Sequence, residues 1–150
     1  MTDVVATAGG GAVYGEFKIL NGRDGDGDVC GCLGAVVQKD GLDLNESHTA
    51  HNNDEAYFMD LFDGCLYGSN EWGSDPLGDR CVAVGDRFGV LVKAGPEGFV
   101  RFYKNGEAFG GTFSGPIKSP VVVVVNMWSK SVSLELLPNA VAPDAGAQVT

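Results

Sequence analysis

The sequence has no lysine or arginine between residues 40 and 79, although ten of its twenty acidic residues lie there. The remaining residues carry ten acidic and ten basic side chains, so this one stretch accounts for the whole net charge of −10. A surplus of negative charge repels the phosphate backbone of nucleic acids and anionic lipid headgroups alike. Nucleic acid and membrane surfaces are therefore not expected as partners.

Long apolar runs are missing as well. No run approaches the roughly 18 residues of a membrane span, and the N-terminus lacks the basic start and apolar stretch of a signal peptide. The four cysteines form no CxxC pair, which favours reduced thiols in an intracellular, cytoplasmic protein. They are Cys30, Cys32, Cys65 and Cys81. Zinc would need four convergent ligands, which the spacing of these cysteines and of His48 and His51 does not supply.

Catalytic motifs are also missing. The glycines at 9–11 precede a strand pattern and not a helix, so they form no phosphate-binding loop, and no GxSxG elbow is present. The segment 46–55 contains both histidines and three acids, but its spacing matches no metal-binding motif. We therefore expect neither enzyme activity nor a cofactor.

The run Asp24-Gly25-Asp26-Gly27-Asp28 has two interpretations. Alternating carboxylates resemble the first half of a calcium loop, which makes Asp24, Asp26 and Asp28 weak metal candidates. A full EF-hand loop needs an acid at its twelfth position, where this chain has Ala35. Asp and Gly are also the residues of tight turns, so a simple turn between two strands fits equally well.

What the sequence does have is strand character. Nineteen valines, frequent glycines and the lack of helical periodicity indicate an all-β protein. Ten short strands are predicted, at 12–20, 28–38, 56–61, 65–68, 80–84, 86–93, 98–104, 107–113, 120–128 and 131–137. So many short strands in a chain of 150 residues indicate one antiparallel sandwich or barrel.

Two local features can be assigned from mechanism. Asn105-Gly106 lies between two strand patterns, and both residues tolerate the positive φ of a type I′ hairpin turn. The run 121–125 consists of valine alone, so its strand should be central and buried on both faces. The predicted strand 98–104 leads into the Asn105-Gly106 turn. Alternation along it places Val100 and Phe102 on one face and Phe99, Arg101 and Tyr103 on the other.

The ends and two internal segments lack strand patterns. Residues 1–10 and 138–150 are predicted to be loosely held, although Val4-Val5 could add an edge strand. The irregular segments are 39–55 and 69–79, and both overlap the acidic stretch. Irregular segments of this length in a small β-protein are typical of functional loops.

The order of several phrases resembles the SPRY domain, the core of the B30.2 module. They are GAVYGEFKI at 11–19, DVCGCLGA at 28–35, MDLFDGCLYGSN at 59–70, GDRFGVLV at 85–92, VRFYKNG at 100–106 and PVVVVVNMW at 120–128. The resemblance covers residues 11–137 and implies a bent sandwich of two antiparallel sheets. No PRY extension is visible, and Ala56-Tyr57-Phe58 replaces the family's usual Ser-Trp-Gly.

The resemblance also implies a binding role. In peptide-binding SPRY domains a tyrosine and a tryptophan contact the ligand, and the matching positions here are Tyr67 and Trp128, adjoined by Asn126 and Met127. Trp72 lies in the irregular segment 69–79 and could anchor a partner. Each aromatic could equally be a packed residue of a sheet or, for Trp72, a lid over the sandwich.

Three functions from different classes are compatible with these patterns. The first is a protein-interaction module for a protein or peptide of basic character. The second is a structural subunit of a larger cytoskeletal, ciliary or viral assembly, of eukaryotic or eukaryotic-virus origin. The third is a lectin-like domain that binds calcium or carbohydrate, which would require the 24–28 loop to hold a metal.

Overall fold

The computed structural model describes residues 2–8, 12–23, 27–38, 55–68, 71–74, 76–127, 132–138 and 140–143. For residues 2–8 and 71–74 the structure describes the backbone alone. Three of the candidate residues, Trp128, Asp24 and Asp26, lie outside the described residues. So do both histidines and most of the irregular segment 39–55.

Strands make up the regular structure of the described residues. They are β1 (Thr2–Ala8), β2 (Ala12–Asn21), β3 (Gly31–Val37), β4 (Ala56–Asp60), β5 (Leu66–Gly68), β6 (Glu71–Ser74), β7 (Arg87–Lys93), β8 (Gly95–Lys104), β9 (Glu107–Ala108), β10 (Phe113–Ile117), β11 (Val121–Met127) and β12 (Ser133–Leu136). None of the residues in these ranges or in the described turns forms a helix that could cross a membrane.

The strands form two antiparallel sheets. Sheet A has the order β1-β11-β3-β4-β5-β6, and sheet B has the order β10-β8-β7-β2-β12, with β9 paired to β8. The main core lies between them and contains Leu33 and Met59 from sheet A and Val90 and Phe102 from sheet B, each at most 1% exposed. This is the two-layer sandwich that the sequence predicts.

The valine strand β11 is buried on both faces, as predicted. Val121, Val123 and Val125 point into the main core. Val122 and Val124 point to the other side of sheet A, where they belong to a second buried cluster. Because β11 lies between β1 and β3, both of its edges are hydrogen-bonded. This run therefore has no free edge that could template aggregation.

The predicted hairpin turn is present. Asn105 and Gly106 have φ values of 53° and 85°, and Lys104 pairs with Glu107 directly beyond them. The Asn105 side chain stabilises the turn further, because its Oδ1 accepts a hydrogen bond from the Arg87 backbone at 2.8 Å. The predicted alternation on β8 is also confirmed: Val100 and Phe102 lie in the main core, and Phe99 and Tyr103 lie on the opposite face.

Two predicted strands are wrong. Of residues 107–113, only Glu107–Ala108 form a strand, and β10 begins at Phe113. Residues 80–84 form a turn, not a strand, because Arg80 adopts a φ of 58° and glycines with positive φ lie on both sides, at Gly78 and Gly85. Val82 is buried at 3%, whereas Val84 is 48% exposed. The apolar residues of this segment thus resemble a strand in composition but have no neighbouring strand with which to pair.

Strands also occur where the sequence indicates irregular structure. β1 pairs with β11 at the edge of sheet A, which is the alternative raised by Val4-Val5. β6 pairs with β5, so Trp72 belongs to a strand and not to a loop. The prediction of an irregular segment throughout 69–79 is therefore wrong. At the other end of the chain, Ala142 is 6% exposed and packs with Leu91 and Tyr103.

Candidate functional site

Tyr67 lies on the side of sheet A that faces away from the main core. Phe58 of β4 pairs with Tyr67 of β5 and with Gly34 of β3, and Gly34 pairs in turn with Val124 of β11. Directly opposed residues of an antiparallel ladder point to the same face. Phe58 and Val124 belong to the second buried cluster, so this row lies on what we call outer face A. Trp72 is the register partner of Tyr67 at the next strand.

The next row of outer face A carries polar groups. Asn126 pairs with Cys32, and Cys32 pairs with Asp60. Asn126 and Asp60 are among the few buried polar residues of the described chain, at 8% and 7% exposed. Two of the candidate residues, Tyr67 and Asn126, are therefore brought to one face by the sheet register, and Asp60 lies beside them.

Met127 does not join them. It follows Asn126 on the same strand, so alternation points its side chain to the opposite face. There it packs against the main core, and a Cβ at its register partner Gly31 would lie 2.9 Å from the Met127 sulfur. The sequence grouped Asn126 and Met127 as neighbours, whereas the pleat separates them.

A chain of side-chain hydrogen bonds connects Tyr67 to the loop after β4. The Tyr67 hydroxyl donates a hydrogen bond to the Cys65 sulfur, and the Cys65 thiol donates one to the Asp63 carboxylate. Asp63 Oδ1 also accepts the Cys65 backbone N–H at 2.9 Å. Burial raises the pKa of the Cys65 thiol to about 11, and the bond to Asp63 adds to this. The pKa of Tyr67 is raised by burial and then by the nearby Cys65 and Asp63. Both groups therefore stay protonated at neutral pH and can act as donors.

Asp60 is the most perturbed acid of outer face A. Burial raises its pKa from the usual 3.8 to about 6, although hydrogen bonds from the backbone of Phe62 and Asp63 oppose this shift. The Phe62 N–H donates to Asp60 Oδ1 at 2.7 Å. At pH 7 the carboxyl is mostly ionised and poorly solvated. Because water screens the charge of the Asp60 carboxylate only weakly, a cationic group close to it would be attracted more strongly than by an exposed acid.

The thiols of Cys32, Cys65 and Cys81 have raised pKa values. Burial and the nearby Asp60 carboxylate raise the pKa of Cys32, and burial raises that of Cys81 to about 11. None of the four cysteines, all of which are described, forms a disulfide. A thiol held in its protonated form is a poor nucleophile and a poor metal ligand. Among the described residues, no group of three or more His, Cys, Asp or Glu side chains is placed to hold a metal ion.

Asp28, the one calcium candidate within the described residues, is already paired with cations. Its Oδ1 accepts a hydrogen bond from Arg80 Nε at 2.7 Å, and its Oδ2 lies 3.6 Å from Arg23. The carboxylate is 5% exposed, so its charge is compensated inside the protein. Asp28 therefore anchors the turn that contains Arg80, and calcium would have to displace two arginines.

Sequence reasoning did not single out Asp60, Asp63 or Cys65. Cys65 could have been found from the sequence, because it lies two residues before Tyr67 in the same predicted strand and must therefore share its face. The cross-strand neighbours Asp60 and Asn126 could not be found in this way, since they depend on the register of β11, β3 and β4. Register is a tertiary property that the local pattern leaves open.

Three solved SPRY structures share this arrangement of strands. The SPRY domain of human HERC1 superimposes with a TM-score of 0.65 at 17% identity, over 90% of this chain and 79% of that one. A human SPRY domain gives 0.66 at 22%, over 93% and 85%. The TRIM65 PSpry domain gives 0.61 at 14%, over 87% and 66%. No family model matches the sequence, and no curated protein matches it.

These likenesses concern the fold. At 14 to 22% identity they show that the chain folds as a SPRY-type β-sandwich, which confirms the fold that the sequence phrases imply. They do not test Tyr67, Trp72, Asn126, Met127 or Trp128 as binding residues, and that assignment stays a prediction.

Proposed function

We propose that the chain is a non-catalytic protein-interaction module that binds a protein or peptide of basic character at the β5 end of outer face A, where Tyr67 and Asp63 are half-buried. Tyr67 provides the aromatic contact, and Asp63 and Asp60 provide acids on its side of the sheet, while Asn126 lies further along the row that contains Asp60. Trp72 and Trp128 remain candidates for the same surface. The observation that carries the proposal is the sheet register that brings Tyr67, Asn126 and Asp60 onto one face.

Tyr67 has the properties of an interface residue. Its side chain is half-buried, so its ring is held while part of it stays accessible. Tyrosine combines a large rigid contact area with one polar group, and it is enriched among residues that dominate binding energy. The hydrogen bond to Cys65 fixes the ring before a partner arrives, which lowers the entropic cost of binding.

Charge supports a basic partner. Asp60 and Asp63 lie within the stretch 40–79, which contains ten acids and no base. Opposite charges raise the rate of encounter and favour the correct partner over others. Exposed charges are screened over about 8 Å at physiological salt, so this contribution should weaken as salt is added.

Fold relatives and side-chain chemistry support a binding role over catalysis. The three fold relatives are named as SPRY domains, and the resemblance noted in the sequence implies peptide binding for domains of that kind. Raised pKa values keep the thiols of Cys32, Cys65 and Cys81 protonated, and Asp60 has no described histidine or cysteine thiolate beside it. The free cysteines also support an intracellular location, because a reducing compartment keeps thiols from pairing.

The test compares three variants in affinity capture from source cells. Tyr67→Ala removes the aromatic contact, and Tyr67→Phe removes only the hydroxyl. Leu136→Ala is the control, because Leu136 is a large side chain, 51% exposed, on an edge strand of sheet B. We expect a set of basic proteins that is retained by wild type and Leu136→Ala and lost with Tyr67→Ala. Equal capture by all variants with matching thermal midpoints would contradict the proposal.

A further inference from the structure

The side of sheet B that faces away from the core has a different chemistry. On β8, Arg101 pairs with Leu91 of β7, which pairs with Tyr14 of β2. One row away, Phe99 pairs with Lys93. Leu91 belongs to the small cluster that Ala142 covers, and Phe99 and Tyr14 pack against it. We call this surface outer face B. It combines aromatic rings with cationic side chains.

Arg101 is held in place by its neighbour. The guanidinium carbon lies 4.0 Å from the centroid of the Phe99 ring, which is a close cation–π contact. The side chain as a whole is half-buried. Its position is therefore defined by the ring beneath it, as the position of Tyr67 is defined by Cys65 on the other sheet.

One nitrogen of this guanidinium has no acceptor. Arg101 Nη1 is buried from water, and among the described residues no atom accepts a hydrogen bond from it. Buried donors are nearly always paired in native proteins, because an unpaired one loses its hydrogen bonds to water without replacement. It is the single buried side-chain nitrogen or oxygen of the described chain in this condition.

The one acid in the central rows of outer face B is already engaged. Glu16 Oε1 accepts a hydrogen bond from Arg87 Nη1 at 3.1 Å, and the Tyr14 hydroxyl donates to the same carboxylate. No ion pair to Arg101 or Lys93 occurs within the part of the chain that the structure describes. Among the described residues, Arg101 and Lys93 therefore have no carboxylate as an ion-pair partner.

We propose that outer face B is a second binding surface, on which Arg101 receives the carboxylate of an aspartate or glutamate side chain from a polypeptide partner. The guanidinium keeps its contact with Phe99 and turns so that Nη1 reaches the carboxylate. Lys93, diagonal to Arg101, adds a second positive charge within reach of an acidic segment. A planar guanidinium matches a carboxylate with two parallel hydrogen bonds, which gives both energy and orientation.

A single carboxylate fits this surface better than a polyanion does. Nucleic acid would meet the two cations Arg101 and Lys93 on a protein whose total net charge is −10. Phosphate backbones are bound by extended basic surfaces, where many phosphates are neutralised together. The partner segment should therefore be a peptide with isolated acids among apolar residues, because the half-buried ring of Phe99 lies against the guanidinium and offers an apolar contact beside it.

The experiment uses the full chain and two terminally blocked peptides as probes, one of alternating leucine and glutamate and one of alternating leucine and glutamine. Binding is followed by NMR at the side-chain Nε–Hε of Arg101 and at the backbone amides of Phe99 and Leu91. We expect saturable shifts centred on these residues with the glutamate peptide. The glutamine peptide should bind at least tenfold more weakly.

Variants decide whether Arg101 carries the binding. Arg101→Gln should weaken the glutamate peptide at least tenfold, and Arg101→Lys should recover part of the loss because it keeps the charge and not the planar donor pair. Lys118→Gln is the control for the loss of one positive charge. Lys118 Nζ donates a hydrogen bond to Glu55 Oε1 at 2.7 Å, so this variant should bind the glutamate peptide as wild type does. Tyr67→Ala should also bind the glutamate peptide as wild type does. A negative result with this peptide therefore bears on outer face B alone and leaves the proposal for outer face A standing.

Four results would overturn the proposal. The first is the absence of saturable shifts at Arg101, and the second is equal binding of the two peptides. The third is unchanged binding by Arg101→Gln at an unchanged thermal midpoint. The fourth concerns the chain's own acid at Asp144, two residues beyond Ala142. If Asp144→Asn shifts the Arg101 resonance without any peptide, the guanidinium is satisfied internally and outer face B is not a partner site.

Discussion

Outer face A and outer face B belong to the same sandwich but differ in charge and in the side chains that neighbouring residues hold in place. Outer face A contains Tyr67, which is hydrogen-bonded to Cys65, and it also contains the buried carboxylate of Asp60. Outer face B has Arg101 stacked on Phe99 with an unpaired nitrogen. The comparison shows that the core fixes the position of both sheets, whereas the residues that alternate with core residues set the charge and polarity of each outer face.

The two faces also use glycine differently. A Cβ at Gly34, on outer face A, would collide with the backbone of Tyr57 and Phe58 on the neighbouring strand. A Cβ at Gly89, on outer face B, would collide with the ring and hydroxyl of Tyr14. The first obstacle is a strand, which cannot move alone, and the second is a side chain, which can rotate. Outer face A therefore depends on a fixed backbone spacing, and outer face B on the placement of one aromatic ring.

The largest effect is expected from Gly34→Ala. The added methyl group would have to push β4 away from β3, which disturbs the ladder in the middle of sheet A. We expect the free energy of unfolding to fall by about 3 kcal/mol, the upper part of the range for overpacking a core. Urea denaturation of the variant and of wild type measures this. An unchanged midpoint would show that the close approach of β3 and β4 is not needed for the fold.

A smaller effect, with a pH signature, is expected from Asp60→Asn. The pKa of Asp60 is raised to about 6 in the folded chain, so the folded state binds this proton more tightly than the unfolded state does. Ionisation of Asp60 therefore lowers stability as the pH rises from about 4 to about 6, with no further change above. At about 1.4 kcal/mol for each pKa unit, this amounts to at most about 3 kcal/mol.

The asparagine variant removes this dependence. Its free energy of unfolding, measured relative to wild type, should rise by about 2 kcal/mol between pH 4 and pH 7, where solvent screening reduces the full value. The ¹³C resonance of the Asp60 carboxyl provides a direct check. A midpoint near 4 for that resonance, together with a flat difference between the two proteins, would contradict the buried-carboxylate account of outer face A.

The smallest effect is expected from Gly89→Ala. Tyr14 would have to leave its position over Gly89, which breaks its hydrogen bond to Glu16 and its edge contact with Tyr103, whose centroid lies 5.8 Å away. Because a ring can rotate into solvent, the loss should be about 1 kcal/mol, near the lower end for overpacking. If Gly89→Ala destabilises the chain as much as Gly34→Ala does, the contrast between the two faces is wrong.

The fold could be predicted from the sequence to a large extent. Alternation, the all-valine run and the Asn105-Gly106 pair identified the sandwich, its central strand and one turn, because these features depend on local chemistry. The segment 80–84 was predicted wrongly because a strand needs a neighbour, and Arg80 turns the chain before one is met. β6 was missed because Glu71–Ser74 has no apolar alternation, and only its pairing with β5 makes it a strand.

The candidate site could be predicted less well. Tyr67 and Asn126 were assigned through resemblance, and the register places them on one face, while Met127 packs on the other side of the sheet. Asp60 and the acceptor-free nitrogen of Arg101 could not be found from the sequence, since burial and missing partners are tertiary properties. Trp128, Asp24 and Asp26 lie outside the described residues, so their roles remain predictions.

The most direct test of the central claim is an NMR titration of the full chain with a blocked peptide of alternating leucine and lysine, compared between wild type and Tyr67→Ala. We predict saturable shifts at the amides of Tyr67, Cys65 and Asp60, and binding that weakens at least tenfold in the variant and falls with added salt. Shifts centred on Phe99 and Leu91 instead, or equal affinity of the two proteins, would contradict the assignment of outer face A as the surface for a basic partner.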